Sequence, residues 1–122
     1  MNSADGPAAA PGASLEHPVS FDRAHLEAAT SAFAMLADPT RLHIMLLLAA
    51  AESDVTALTA ACGASRTAVS QHLAKLRFTG MVETRREGRH VIYRIRDGHL
   101  ARLVREGINL ADHIVTGEPP HA

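Results

Sequence analysis

Eight histidines and a single cysteine in 122 residues are the side chains with the chemistry to hold a transition metal. Their spacing narrows the choice. His99 and His113 stand in one stretch of helical periodicity, with Asp97 just ahead of the first. At about 100° per residue, the two imidazoles fall within ~40° of each other on one helix face. At a rise of about 1.5 Å per residue they are also ~21 Å apart, too far to share an ion. Two copies of such a helix running antiparallel would bring His99 of one chain beside His113 of the other, twice over by symmetry. Imidazole and carboxylate without thiolate suit Ni2+, Co2+ or Zn2+. The competing reading makes Asp97 a helix cap and the two histidines polar residues edging a dimer seam. Cys62, being alone, permits no intrachain disulfide and reads as a small buried apolar residue. With no H-E-x-x-H motif and no sign of a general base in a cleft, an enzyme is not expected.

A second constellation lies in Ala64–Arg96. Ser65 is a good helix N-cap. Val69, Leu73 and Leu76 follow at helical spacing as an apolar stripe, and Gly80 provides the stop. Two β-prone runs then bracket a turn at Glu87-Gly88. Val91, Tyr93 and Ile95 alternate with His90, Arg94 and Arg96 along the second run. From Ser65 to Arg96 there are eight Arg or Lys against two Glu, a local +6 in a chain whose formal net charge is −1. Phosphate contact needs a local basic surface and not a basic protein. A polar helix followed by a basic hairpin is the arrangement by which a winged helix-turn-helix reads DNA. Thr67, Ser70 and Gln71 are the candidates for base edges, since Gln pairs bidentately with adenine and Ser or Thr serves either partner. Ser65 belongs to the same surface. Arg66, Lys75, Arg77, Arg86 and Arg89 are the candidates for phosphates. His72 lies near the apolar side and reads as structural.

The remaining elements must position these two sets. The length is that of one domain. Apolar content is 47 % but aromatic content only 3 %, so the core must be aliphatic. No apolar run reaches membrane-spanning length and the N-terminus lacks a signal-like pattern, which predicts a soluble cytoplasmic protein without a membrane partner. Residues 1–20 are rich in Ala, Pro, Gly and Ser and read as a disordered arm; the folded domain is expected over 21–116, with 117–122 a flexible tail. A helix over Phe21–Leu36 carries Leu26, Ala29, Phe33 and Leu36 on one side. Asp38-Pro39 restarts the chain as cap and first helical residue. Leu42, Met45, Leu46 and Ala49 are the buried stripe expected there, and Arg41 is expected to hold local structure with an acidic neighbour. His25 and His43 lack acidic or histidine partners at ligand spacing. Asp54 caps a short helix over Val55–Cys62 and Gly63 makes the turn. The final helix, Gly98–Thr116, has Leu100, Leu103, Val104, Ile108, Ala111, Ile114 and Val115 as a broad apolar face that needs a partner.

SRTAVSQHLAKLRFTGMVETRREGRHVIYRI resembles the ArsR/SmtB repressors, small homodimeric winged-helix proteins, through Ser65, Ser70, His72, Leu73, Leu76, Gly80, Val82, Gly88, Arg89 and Tyr93. Upstream, LADPTRLHIMLLL matches that family's entry to its second helix, so the likeness runs from about residue 24 to 115. The resemblance implies a mainly α fold with a small β-hairpin, the first and last helices packed on a two-fold mate, and double-stranded operator DNA as partner. The family's interhelical metal site is met by Asp97, His99 and His113, while its third ligand position falls on Leu110. The actinobacterial nickel/cobalt sensors within the family offer a closer pattern. It implies His99, Asp112, His113 and His121 as ligands, with His17 as a further candidate and Asp112 standing where those sensors carry Glu. A thiolate-rich site in the first helix-turn-helix segment is excluded, because SDVTALTAAC has no Cys-x-Cys pair. The function implied is a repressor released from DNA by Ni2+ or Co2+, with Zn2+ also accommodated. The alternatives are a regulator of the same type that does not sense metal, and a winged helix used only to bind protein.

Overall fold

The computed structural model describes residues 21–117. In chain order the elements are α1 (Arg23–Leu36), α2 (Pro39–Ala50), α3 (Val55–Cys62), α4 (Arg66–Phe78), β1 (Val82–Glu87), β2 (His90–Ile95) and α5 (Gly98–Thr116). Backbone proximity divides the chain between Ala32 and Phe33. In the first unit the carboxylate of Asp22 accepts from His25 N at 2.9 Å, opening α1, and meets the His25 ring at 2.7 Å. His25 therefore does have an acidic partner, three residues back, which corrects the reading of it as unpartnered.

In the second unit the helix starts follow local chemistry. Asp38 Oδ2 accepts from Arg41 N at 3.0 Å with Pro39 in the first turn, Asp54 Oδ1 accepts from Ala57 N at 2.9 Å, and Ser65 Oγ accepts from Ala68 N at 3.1 Å. Each satisfies one of the donors that a helix start leaves unpaired. Asp97 does the same for α5, accepting from His99 N at 2.7 Å.

The core is aliphatic and sulfur-containing: Ile44, Met45 and Leu48 of α2, Leu58 of α3, Val69, Leu73 and Leu76 of α4, then Met81, Val82 and Val104. No polar or charged side chain among the described residues is buried with them. The helix α2 is the hub, in contact with α3, α4, α5 and β2. Its buried side is Ile44, Met45 and Leu48, while Leu42, Leu46 and Ala49 are only half-buried. The expected stripe is thus corrected by about a third of a turn. From Ile44 to Ala50 the helix is apolar on all sides, so periodicity alone cannot choose its inner face.

β1 and β2 pair antiparallel in the register Val82↔Ile95 to Glu87↔His90. Because Glu87 is paired, the turn is Gly88-Arg89, one residue later than the sequence suggests, and Gly88 takes φ +63°. Beyond β2, Ser53 adds a one-residue bridge to Tyr93, with N···O distances of 2.8 and 3.1 Å. Among the described residues no single helix is long and apolar enough to cross a membrane.

Candidate nucleic-acid interface and metal-ligand positions

The α3–α4 pair forms a helix-turn-helix. Gly63 ends α3 at φ +68°, where an added Cβ would meet nothing within 4 Å. The position is therefore set by the backbone angle and not by crowding. Val69, Leu73 and Leu76 hold α4 to the core, which turns Thr67, Ser70, Gln71, Ala74, Lys75 and Arg77 to solvent. A shallow depression is lined by Arg66, Thr67, Ser70, Gln71 and Ala74, so the base-edge candidates share one surface. Ser65 uses its oxygen as a cap acceptor, and its hydroxyl proton remains available to donate. Arg66 Nη1 donates to Thr56 Oγ1 at 3.0 Å, bracing α4 against α3.

The wing is less cationic than its sequence. Arg85 pairs with Glu52 at 2.5 Å and Glu87 at 3.1 Å, and Arg94 Nε donates to the cross-strand Glu83 at 2.6 Å. The Arg85 hydrogen bond holds the Glu52 carboxyl below its ordinary range, and the same contact raises Arg85 further. Arg86 and Arg89 carry no described ion pair and stand exposed at the tip. They remain the hairpin's candidates for phosphate.

Behind the exposed face of α4, three elements meet at a polar knot. Arg41 Nε donates to Met35 O at 2.8 Å, Arg41 Nη1 lies 3.4 Å from His72 Nδ1, and His72 Nε2 lies 3.7 Å from Asp38 Oδ2. His72 thus has the structural role its wheel position implied. Arg41 does hold local structure with an acidic neighbour, Asp38, through its backbone N–H, while its guanidinium meets a carbonyl and lies beside a ring. The backbone N–H of Arg41 holds the Asp38 carboxyl below the usual range, and the nearby His72 acts in the same direction.

On α5, Asp97 and His99 lie at the start, exposed, and Asp112 and His113 near the end, exposed and half-buried. The structure does not bring these pairs together within one chain, and no group of three or more His, Cys, Asp or Glu among the described residues could hold an ion. His17 and His121 lie outside the described residues. One oxygen of Asp97 is committed to capping. Arg102 Nη2 lies 2.8 Å from His99 Nδ1, a contact absent from the sequence analysis although a three-residue spacing on a helix signals it. Two apolar residues were missed as well. Phe78 is 92 % exposed at the end of α4 and Leu110 is 64 % exposed on α5.

Residues 38–84 match the family model described as bacterial regulatory protein, arsR family. The chain is 42 % identical over 89 residues to the HTH-type transcriptional regulator KmtR of Mycobacterium tuberculosis, covering 73 % of this chain and 68 % of that protein. Among solved structures, it is similar to the homodimeric winged helix-turn-helix DNA-binding domain of Mb0332 from Mycobacterium bovis. That match has a TM-score of 0.71 and 32 % identity over 88 % of this chain and 100 % of that one. It is also similar to the AntR antimony-specific transcriptional repressor, with a TM-score of 0.73 and 29 % identity over 89 % of this chain and 99 % of that one.

Proposed function

The chain belongs to the arsR family of bacterial regulatory proteins, and on that footing we propose that it is a homodimeric transcriptional repressor whose operator affinity is lowered by a transition-metal ion held between two α5 helices. It acts on DNA in the cytoplasm. In the DNA-bound state α4 enters the major groove with Thr67, Ser70 and Gln71 at base edges, and Lys75, Arg77, Arg86 and Arg89 meet phosphates. A second α4, related by the dimer two-fold, meets the next half-site about one helical turn away.

The observation that carries the metal reading is the makeup of α5. Leu103, Gly107, Leu110 and Ile114 fall on one line of the helix, and the three large residues on it are exposed in the single chain. His99 continues that line and His113 flanks it. An antiparallel partner covering the line therefore brings nitrogen and oxygen donors of both chains to each end of the seam. Asp97 and His99 from one chain, with Asp112 and His113 from the other, make a hard-to-borderline donor set that fits Ni2+, Co2+ or Zn2+, and His121 is a further donor of the same kind. A bound ion would supply a cross-link between the chains. Asp97 follows Arg96 directly, so a shift at the start of α5 passes to the wing through one peptide bond. By linkage, DNA weakens metal binding by the factor with which metal weakens DNA binding.

The test is anisotropy of a labelled duplex, selected by the protein from a randomised pool, titrated with protein and then with Ni2+, Co2+ and Zn2+ in turn. The wild type is expected to bind tightly without metal and to be released by one of the three. His99→Ala is expected to bind as tightly and to ignore the ion; release of this variant by metal would overturn the α5 site. One observation favours a second reading, in which the repressor senses no metal. The leading ligand, His99, already accepts a guanidinium hydrogen bond from Arg102. Tight binding indifferent to all three ions would establish that reading.

A further inference from the structure

Phe78 is the most exposed large apolar side chain among the described residues, at 92 %. Folding does not account for it. The ring has no place in the aliphatic core, and an aromatic residue has no helix-propensity advantage at an exposed position. Its place on the helix is specific. Thr67, Gln71, Ala74 and Phe78 follow at spacings of four, three and four, which puts them in an arc of about 60°. Val69, Leu73 and Leu76, all buried, lie on the opposite side of α4. Phe78 therefore closes the line that begins with the base-edge candidates. The surface is also continuous. The depression lined by Arg66, Thr67, Ser70, Gln71 and Ala74 runs on into a second, lined by Ser70, Ala74, Arg77, Phe78 and Tyr93, with Ser70 and Ala74 shared. Lys75 and Arg77 stand exposed beside the ring, and neither has a described ion pair.

We propose that Phe78 reads the operator by seating the C5-methyl group of a thymine in the major groove, one contact per half-site. This rests on the DNA-binding reading of α4. An apolar ring flanked by two cations is poorly matched to an apolar protein partner. It is well matched to a duplex, which offers phosphates at the groove edges and, of the four bases, a methyl group only on thymine. From Thr67 to Phe78 the line is about 16 Å long, or roughly five base-pair steps, so Phe78 addresses the end of the half-site away from Thr67. The contact supplies specificity and no charge.

The experiment uses the full chain and the duplex it selects from a randomised pool. Each thymine is replaced in turn by deoxyuridine, which removes only the methyl group. Wild type is expected to lose about four-fold in affinity at one thymine per half-site, the worth of about one buried methyl group. Phe78→Gln, which removes the contact from both half-sites at once, is expected to lose about the square of that factor on the parent duplex and to be blind to the methyl at that position. Phe78→Leu is expected to keep the methyl sensitivity, and the salt dependence of all three proteins to be equal. Retention of the wild-type helical circular dichroism by the variants ties the effect to the contact. Equal sensitivity of wild type and Phe78→Gln to every deoxyuridine overturns the proposal. So does a change in self-association with DNA affinity intact, which would assign the ring to a protein contact. Failure of the wild type to select any duplex is a separate result and would overturn the DNA reading itself.

Discussion

At the scale of single residues, His99 and Arg102 set the terms on which α5 would meet a cation. A guanidinium donates and never accepts, so Nδ1 of His99 accepts and the neutral ring's proton sits on Nε2. An ion reaching this imidazole must either displace Arg102 or bind beside a fixed positive charge. Each is unfavourable, and a divalent ion about 4 Å from a unit charge is repelled by ~2 kcal/mol in a water-like medium. Arg102→Ala is therefore expected to tighten metal binding by up to about thirty-fold, read by competition against a chromophoric chelator. Unchanged or weaker binding would locate the ion away from His99. The spacing of the histidines was legible in the sequence because it depends only on helix geometry. What Arg102 does to them was not read, because a three-residue neighbour on a surface helix has many alternatives and only the packed rotamer chooses among them.

At the scale of elements, the segment between α2 and α3 clamps the wing through three successive residues. Glu52 holds Arg85, Ser53 pairs with the backbone of Tyr93, and Asp54 Oδ2 lies 3.2 Å from His90 Nδ1 while its other oxygen caps α3. The orientation of the hairpin is thus fixed from the start of the helix-turn-helix and not from β1 and β2 alone. Glu52 and Asp38 are both held below the ordinary carboxylate range, by the Arg85 side chain and the Arg41 backbone N–H respectively. A carboxyl whose folded pKa lies below its unfolded value adds stability that is complete above the unfolded value, about 4, and is lost as pH falls through the folded one. The melting temperature is expected to be insensitive to these two groups between pH 5 and 7, on the usual titration range. Below about pH 4 it should fall, and Glu52→Gln should make the fall shallower. A slope identical in wild type and variant would separate Glu52 from acid stability. The starts of α2 to α5 were legible residue by residue, since each cap is a contact within three positions. The wing's charge was not. Counting Ser65–Arg96 gives +6 but leaves out Glu52, which neutralises Arg85 from thirty-three residues upstream. The inner face of α2 was equally illegible, because an all-apolar helix is assigned a side only by what packs on it.

At the scale of the whole molecule, the single chain is incomplete along α5. Of that helix only Val104 is fully buried. Leu103, Ile108, Leu110, Ile114 and Val115 are between 36 % and 84 % exposed. Leu103, Leu110 and Ile114 share one side of the helix, and an exposed apolar stripe of this kind marks an interaction site. The line Leu103–Gly107–Leu110–Ile114 includes a glycine where an added Cβ would meet nothing, so a second helix can approach closely there. If that line is the two-fold seam, charge placed on it should separate the chains without unfolding them, because the residues changed do not belong to the core. Leu110→Glu and Ile114→Glu are expected to sediment as monomers with the helical circular dichroism of the wild type. Their DNA affinity should fall by on the order of 100-fold or more, since the two half-sites are then bound independently and the gain from linking them is lost. The loss should come with a halved salt slope, as each monomer releases only its own share of counterions. A dimer that survives both substitutions would move the seam to another surface. The paired histidine positions of α5 would then lose the geometry that lets two chains share an ion, and the metal reading would fall with the dimer reading while DNA recognition by α4 stood.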